Sequence, residues 1–162
     1  MNTAVLLTGG NVGNREKYLA EAQERIGGSC GNLVAFSPIY ETDAWGKQDQ
    51  NSFLNQALVL QTGLSPAQLL KAILSIETEL GRIRTEKYGP RTIDIDIIFY
   101  NDAVIAMEGL IIPHPEVANR RFALQCLVGV VPRYIHPVFK KTVEKLLADC
   151  QDPLQARVYI RE

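Results

Sequence analysis

Two aspartates in one short stretch are the side chains of this sequence best suited to catalysis. Residues 93–100 follow a Gly-Pro turn signal and alternate isoleucine with aspartate at their start, which predicts a β-strand. Because successive side chains of a strand point to opposite faces, the alternate isoleucines and Phe99 would share the core face, with Asp94 and Asp96 on the other. Two carboxylates so close repel each other unless a cation lies between them. The pair therefore predicts a site for a hard divalent ion such as Mg²⁺.

Arginines precede this acidic strand. Arg91 lies just before the two aspartates, and Arg82 and Arg84 begin a charged stretch over residues 82–90. Guanidinium groups match phosphate oxygens with paired hydrogen bonds. Paired acids, a hard metal ion and converging arginines are together typical of phosphoryl transfer. The alternative is a polar strand face with surface ion pairs, and the three arginines favour the catalytic interpretation.

Length and composition indicate one soluble globular domain over residues 1–162, with 46% hydrophobic and 22% charged residues. A net charge of −1 provides no basic field for nucleic acid or an anionic membrane. We expect a monomer, because no additional apolar face requires a partner. The sequence shows no signal peptide or membrane-spanning run, and its three cysteines are widely spaced, which indicates a reducing cytoplasm.

The predicted elements that position these residues follow the order β-α-β-β-α-β. Asn14 is the expected N-cap of a first helix that Gly27-Gly28 would end, and Ser65-Pro66 opens a second helix that Gly81 would end. Strands are predicted at residues 3–8, 33–40, 53–62 and 93–100. This order is typical of a ferredoxin-like α+β sandwich with an antiparallel sheet, whose open face would carry the acidic pair.

C-terminal additions follow this core. Residues 101–102 would turn the chain into a short strand at 104–106, and residues 110–115 form an extended segment in which two prolines flank His114. A histidine held in this way is more typical of a ligand contact than of a core. A short apolar helix is expected to reach Val131, followed by a helix over residues 142–150 and an edge strand over 157–160.

Three further features concern ligand binding. The stretch Gly9-Gly10-Asn11-Val12-Gly13-Asn14 lacks a phosphate-loop pattern, so a tight turn between strand and helix is the favoured interpretation. Residues 41–52 form a polar loop that carries Trp45, the only tryptophan and an expected lid or contact residue. Phe53 and Asn55 share a strand face and could hold a flat heterocycle, but a core phenylalanine beside a strand-start asparagine explains them equally well.

Taken together, these motifs resemble the 6-hydroxymethyl-7,8-dihydropterin pyrophosphokinase family of the folate pathway. The resemblance spans almost the whole chain in the correct order. The residues that carry it are Gly89-Pro90-Arg91-Thr92-Ile93-Asp94-Ile95-Asp96, Gly81-Arg82-Ile83-Arg84, Phe53-Leu54-Asn55, Pro113-His114-Pro115, Asn119-Arg120-Arg121-Phe122 and the Gly9-Gly10-Asn11 loop.

The resemblance implies that ATP transfers its diphosphate to the hydroxymethyl group of the pterin and that AMP is released. It implies two Mg²⁺ ions on Asp94 and Asp96, with Arg82 and Arg91 as further catalytic residues. The implied ATP contacts are Glu77, Arg82, Arg84, Tyr88, Arg91, Ile97 through its backbone, His114 and Arg120. The implied pterin contacts are Thr42, Trp45, Phe53, Asn55 and Phe122.

Two other functions remain open from the residues alone. A nucleotidyltransferase can also use a strand-borne acidic pair with Mg²⁺, but it would release pyrophosphate instead of AMP. A non-catalytic ferredoxin-like ligand-binding module would carry the acidic pair merely as surface, and it would not bind nucleotide in a magnesium-dependent way.

Overall fold

The protein forms three layers, in which a central sheet lies between two pairs of helices. The computed structural model describes residues 1–43, 51–81 and 92–160. In the described part of the chain, no helix is long and apolar enough to cross a membrane.

The strands and helices alternate along the chain much as the sequence predicts. The strands are β1 (Asn2–Gly10), β2 (Asn32–Phe36), β3 (Tyr40–Thr42), β4 (Phe53–Thr62), β5 (Asp94–Tyr100), β6 (Ile105–Met107), β7 (Leu110–Ile112) and β8 (Ala156–Val158). The helices are α1 (Arg15–Ser29), α2 (Pro66–Glu79), α3 (Arg121–Val128) and α4 (Val143–Asp149), with a single 3₁₀ turn at Val117–Asn119.

The central sheet has the strand order β5-β1-β4-β3-β8. Both β3 and β2 pair with the same edge of β4, β3 with its first residues and β2 with its last. Each of these pairings is antiparallel. The predicted antiparallel sheet is therefore confirmed. The strands β6 and β7 form a separate hairpin.

Both faces of the sheet are covered by helices. On one face, α1 and α2 bury apolar side chains such as Leu6, Leu60 and Ile73. On the other face, α3 and α4 pack over Leu7, Ala57 and their neighbours. The C-terminal additions thus close much of the face that was predicted to be open, while Phe53 in β4 and Asp94 and Asp96 in β5 stay half-buried.

The first helix does not end at Gly27-Gly28 as predicted, but continues to Ser29. Ile26 and Cys30 are both buried, and the Cys30 N–H donates to the Ile26 carbonyl, so core packing holds this turn despite the low helix propensity of glycine. The chain turns instead at Gly31, where φ is +152° and an added Cβ would lie 2.2 Å from the Gln61 carbonyl oxygen. Close approach to β4 therefore requires glycine at that position.

The predicted strand over residues 33–40 is two strands. The pairing of β2 with β4 changes register between Leu33 and Ala35, and Pro38, which has no N–H, lies in the gap before β3. Thr42 therefore belongs to β3 and not to a loop.

Phe99 does not share a face with the alternate isoleucines of β5. Ile97 pairs with Leu6 while Phe99 pairs with Val5, so two steps along β5 oppose one step along β1. Such a bulge reverses the alternation of faces. Phe99 consequently packs on the α3–α4 side, with its ring centroid 4.2 Å from that of Tyr134.

Candidate active site

Four strands contribute one residue each to a single row across the sheet. Tyr40 pairs with Asn55, Asn55 with Gly9, and Gly9 with Asp94. Directly paired residues of antiparallel strands point to the same face. Asn55 and Asp94 therefore face the same side, two strand spacings or about 10 Å apart. The prediction that the amide and the acidic strand share one face is confirmed.

The adjacent rows extend this face in both directions. Thr42 pairs with Phe53 on one side of the Asn55 row, and Asp96 pairs with Leu7 on the other. The aromatic and amide side chains thus lie on β3 and β4, and the two carboxylates lie on β5. Asp94 and Asp96 are both half-buried. The face has an acidic end and an aromatic end.

Gly9 leaves room for the Asn55 side chain. A Cβ at this position would lie 2.1 Å from Asn55 Nδ2, and that nitrogen donates to the Thr8 carbonyl at 3.3 Å. The carboxamide therefore lies across the backbone of β1. Gly9 and Gly10 belong to the strand itself, so the predicted tight turn between strand and helix is confined to residues 11–14. A glycine within a strand often marks a close approach of another group to the backbone, and the sequence analysis did not use this signal.

Thr42 carries an unpartnered polar atom at the aromatic end. Thr42 is 2% exposed, and its Oγ1 has no hydrogen-bond partner among the described residues. The large majority of buried side-chain polar atoms have one. The pairing of Thr42 with Phe53 places this hydroxyl beside an aromatic ring, so a flat ligand with polar edge atoms would satisfy it.

Phe122 reaches the same end from the helical layer. It lies in the first turn of α3, which packs over β3 and β4, and its half-buried ring joins the α3–α4 core. Phe53 is also half-buried and faces that layer. The two predicted aromatic contacts therefore approach one end of the sheet from different layers.

The outer edge of β5 is held by the Glu77 side chain and by the backbone of His114. The Glu77 carboxylate accepts from the Ile95 N–H at 2.7 Å, and the His114 N–H donates to the Ile98 carbonyl at 3.0 Å. Ile97 lies between these two contacts. Glu77 is 3% exposed on the core side of α2, so it supports the acidic strand directly, a role that the sequence did not predict. A glutamate within an apolar helical stripe was the available signal. The contact of Glu77 with ATP stays a prediction.

His114 lies close enough to the acidic strand for Asp94 to influence its pKa. Burial lowers the pKa of His114, Arg120 lowers it further, and Asp94 and Glu116 act in the opposite direction. The ring is therefore neutral at pH 7. Its Nδ1 accepts from the Glu116 N–H at 3.2 Å, which leaves the proton on Nε2. His114 can thus donate one hydrogen bond towards an anionic ligand.

The two adjacent arginines before α3 have different positions. Arg121 donates to the Asp152 and Cys150 carbonyl oxygens at 3.0 Å each, which anchors the C-terminal segment. Arg120 is half-buried and lies within electrostatic reach of His114. Arg120 is therefore the member of the pair that lies near His114, and its contact with the ATP phosphates stays a prediction.

Five predicted site residues fall outside the described ranges: Trp45, Arg82, Arg84, Tyr88 and Arg91. Within those ranges, no group of three or more histidine, cysteine, aspartate or glutamate side chains could enclose a metal ion. Two carboxylates on one face nevertheless fit Mg²⁺, because it commonly takes one or two protein carboxylates and completes its octahedron with phosphate oxygens and water.

Sequence comparison connects this site with a known family. The profile of the family described as 7,8-dihydro-6-hydroxymethylpterin-pyrophosphokinase (HPPK) matches residues 5–132. A 2-amino-4-hydroxy-6-hydroxymethyldihydropteridine pyrophosphokinase of Aquifex aeolicus is 39% identical over 145 residues, which cover 90% of this chain and 90% of the relative. A protein of the same name from Methylorubrum extorquens is 40% identical over 149 residues, 91% of this chain and 93% of the relative.

Comparison of structures supports the same fold. The crystal structure of wild-type Plasmodium falciparum HPPK-DHPS with SDX-DHP matches 91% of this chain with a TM-score of 0.76 and 21% sequence identity. This chain spans 43% of that longer chain.

Proposed function

This chain belongs to the 7,8-dihydro-6-hydroxymethylpterin-pyrophosphokinase family, and we propose that it transfers the terminal diphosphate of ATP to 6-hydroxymethyl-7,8-dihydropterin in folate biosynthesis. The acceptor is the pterin hydroxymethyl group, and the released nucleotide is AMP. The observation that carries this proposal is the shared sheet face, on which Asp94 and Asp96 lie beside the row of Asn55 and the pair of Thr42 and Phe53.

The aromatic end of the face binds the pterin. Phe53 and Phe122 stack on its two ring faces, which contributes about 0.5–1.5 kcal/mol per ring beyond the burial of apolar area. The carboxamide of Asn55 and the unpartnered hydroxyl of Thr42 hydrogen-bond with the polar ring edge. Trp45, from the segment after β3, completes the pocket.

The acidic end binds the triphosphate of ATP. Arg82, Arg84, Arg91 and Arg120 hold phosphate oxygens, and Tyr88 contributes a further contact. His114 donates from Nε2, because its lowered pKa keeps the ring neutral and its Nδ1 is already engaged. The backbone of Ile97, on the outer edge of β5, contacts the adenine, and Glu77 holds that edge in place.

Asp94 and Asp96 would hold two Mg²⁺ ions, which supply positive charge against the negative charge of the phosphate oxygens. The two carboxylates share one face because they are two residues apart in a regular part of β5, before the bulge.

The reaction is an in-line displacement at the β-phosphorus. The hydroxymethyl oxygen forms a bond to that phosphorus, and the bond to the oxygen bridging the α- and β-phosphates breaks, which releases AMP. The hydroxymethyl proton leaves to solvent or to a phosphate oxygen, since neutral His114 donates instead of accepting. Catalysis by this chain therefore depends on positioning the two substrates and on electrostatic stabilisation by Arg82 and Arg91.

The strand order supports a ferredoxin-like core. Counting β2 and β3 as one interrupted strand, the order β5-β1-β4-β2 is that of two interlocked split β-α-β units, with α1 and α2 on one face. The second helical layer and β8 are additions to this core. We further propose that residues 1–162 act as one domain, as a monomer in the cytoplasm.

The identity of the nucleotide product tests this function. Incubation with MgATP and the hydroxymethyl-dihydropterin should give AMP and the pterin diphosphate. A nucleotidyltransferase would release pyrophosphate, and a binding module would release no product. Either result would refute the proposal.

The same assay tests the metal ligands. Asp96→Asn should reduce turnover by at least about 100-fold, a loss typical of a group that stabilises transition-state charge. The matched control is Asp102→Asn, an exposed aspartate in the turn after β5, which should retain activity. Near-normal turnover of Asp96→Asn at saturating Mg²⁺ would contradict the assignment.

A further inference from the structure

A cluster of charged side chains lies behind the aromatic end of the site, on the opposite side of β3 and β4. We call it the Glu41 cluster, and it consists of Glu41 in β3, Arg15 at the start of α1, Ser52 just before β4, and Arg157 in β8. These four residues come from four separate segments of the chain.

Glu41 is the centre of this cluster. Arg15 Nη1 lies 2.8 Å from Glu41 Oε2 and also donates to the Ser52 carbonyl and hydroxyl oxygens at 3.0 Å each. The Ser52 hydroxyl donates to the same carboxylate oxygen at 2.7 Å. The second carboxylate oxygen lies 3.4 Å from Arg157 Nη2. Both oxygens of Glu41 are therefore engaged.

The cluster is shielded from solvent more than ordinary surface ion pairs. The side chains of Glu41 and Arg15 are 19% and 23% exposed, and the guanidinium of Arg15 lies 5.7 Å from the centre of the Tyr159 ring. The hydrogen bond from Ser52 and the charges of Arg15 and Arg157 hold the pKa of the Glu41 carboxyl below its usual range. Glu41 is therefore ionised at neutral pH and attracts both arginines.

The Glu41 cluster adjoins the two residues at the aromatic end of the site. Glu41 immediately precedes Thr42, and Ser52 immediately precedes Phe53. Thr42 and Phe53 form the last of only three residue pairs that join β3 to β4. On its other edge β3 pairs with β8, where Glu41 is opposite Arg157 and Thr42 is opposite Ala156. The position of Thr42 therefore depends on contacts with both neighbouring strands. The bonds between Arg15, Glu41 and Ser52 run diagonally across the Thr42–Phe53 pair, because Glu41 is opposite Leu54 and Ser52 lies one residue beyond the end of the ladder.

We propose that Glu41 is a positioning residue for the pterin, which fixes Thr42 relative to Phe53 through its bonds to Ser52, Arg15 and Arg157. This inference depends on the proposed function, because it assigns the pterin to that pair. It also gives α1 and the C-terminal strand β8 a part in substrate binding, although β8 lies outside the region matched by the family profile.

A second cluster in the same molecule offers a matched control. Glu79 in α2 is paired with Arg25 of α1, and the Ser75 hydroxyl donates to it at 3.4 Å. It therefore repeats the combination of glutamate, α1 arginine and serine. Its glutamate side chain is 51% exposed, and it joins two helices and no strand of the site.

The test compares Glu41→Ala, Glu41→Gln and Glu79→Ala in steady-state kinetics. Glu41→Ala should raise KM for the pterin about 10-fold, because small misplacement of contact groups weakens productive binding strongly. KM for ATP should stay within about 2-fold, since the triphosphate binds at the other end of the face. Glu41→Gln retains oxygen and shape, so its pterin KM should lie between those of the wild type and Glu41→Ala. Glu79→Ala should change neither KM.

Several results would refute the inference. An unchanged pterin KM in Glu41→Ala would do so, and so would equal increases in both KM values, which indicate general destabilisation. If Glu41→Ala does not fold, Glu41→Gln and Arg157→Gln decide the question, since each should raise the pterin KM selectively. A wild-type protein that releases no AMP would refute the proposed function itself, a failure distinct from any difference between variants.

Discussion

Among single residues, Gly9 shapes the site because it has no side chain. It pairs with both Asn55 and Asp94, so it occupies the centre of the row that joins the aromatic and acidic ends. The Asn55 carboxamide lies in the space where a Cβ would stand. The orientation of the proposed pterin-binding amide therefore depends on the residue of the neighbouring strand.

Gly9→Ala should weaken pterin binding by at least about 10-fold, because the new methyl group displaces the Asn55 amide and leaves its buried hydrogen bond unmade. Binding of a non-hydrolysable ATP analogue should change much less. The control is Gly28→Ala, where an added Cβ meets no atom within 4 Å and should stabilise α1 slightly. Calorimetry that gives the same pterin affinity for Gly9→Ala and the wild type would contradict the proposed role of Asn55.

Phe122→Ala tests the stacking interaction. Loss of one ring should lower pterin affinity by roughly 10-fold, which combines lost stacking with lost apolar burial, while ATP-analogue affinity is retained. Phe36→Ala removes a phenylalanine that is 61% exposed on β2 and should affect neither ligand. Equal losses of both ligands in Phe122→Ala would indicate a folding defect instead.

The sequence predicted the strand face of single residues better than their contacts with distant parts of the chain. Asp94, Asp96, Phe53 and Asn55 follow directly from strand alternation, which depends on local geometry alone. The contact of Glu77 with the Ile95 N–H could not be predicted in this way, because it joins residues 18 positions apart in different elements. The same limit applies to Gly9, whose requirement arises from β4.

At the level of elements, the second helical layer determines which part of the sheet remains available to ligands. It covers the centre of the sheet through α3 and α4, and Phe122 lies in the first turn of α3, towards the aromatic end. The turn before α4 depends on His136, whose Nδ1 accepts from the N–H groups of Val138 and Phe139 at 3.1 Å each. Its ring stacks on Phe139 and meets the edge of Phe99.

This turn should make the stability of the protein depend on pH. Burial lowers the pKa of His136 in the folded state, so the unfolded chain binds the proton more readily. The stabilising contribution is then complete above the unfolded pKa of about 6.5 and is lost as pH falls from there towards the lowered folded value. His114, the only other histidine, has a lowered pKa as well and acts in the same direction.

Urea unfolding between about pH 7.5 and pH 5.5 measures this effect. The free energy of unfolding of the wild type should fall over this interval, and His136→Asn should show a smaller fall. His114→Asn should retain the part that His136 contributes. Parallel pH dependences in the wild type and His136→Asn would show that His136 titrates alike in the folded and unfolded states.

Element order was predictable because hydrophobic periodicity and helix caps are local signals. Asn14, Ser65 and Thr142 each accept from a backbone N–H of the first helical turn, and the first two were predicted as caps. The continuation of α1 through Gly27-Gly28 and the bulge in β5 were not predictable, since tertiary packing decided both.

At the level of the whole molecule, the antiparallel sheet brings together segments that are far apart in sequence. Residues 9, 42, 53, 55, 94 and 96 meet on one face through the pairings of β1, β3, β4 and β5. Strand alternation predicts the face of each residue within its own strand. Only the register between strands determines which residues share a row, and no local pattern in the sequence contains that register.

We propose that one sheet face brings the pterin and the triphosphate into reacting distance. A crystal structure of the complex with Mg²⁺, a non-hydrolysable ATP analogue and the hydroxymethyl-dihydropterin measures this directly. We predict the pterin between Phe53 and Phe122, metal on Asp94 and Asp96, and the hydroxymethyl oxygen about 3–3.5 Å from the β-phosphorus, in line with the bond that breaks. A pterin bound away from the Asn55 row, or a triphosphate that does not approach Asp94 and Asp96, would show that this face does not bring the two substrates together.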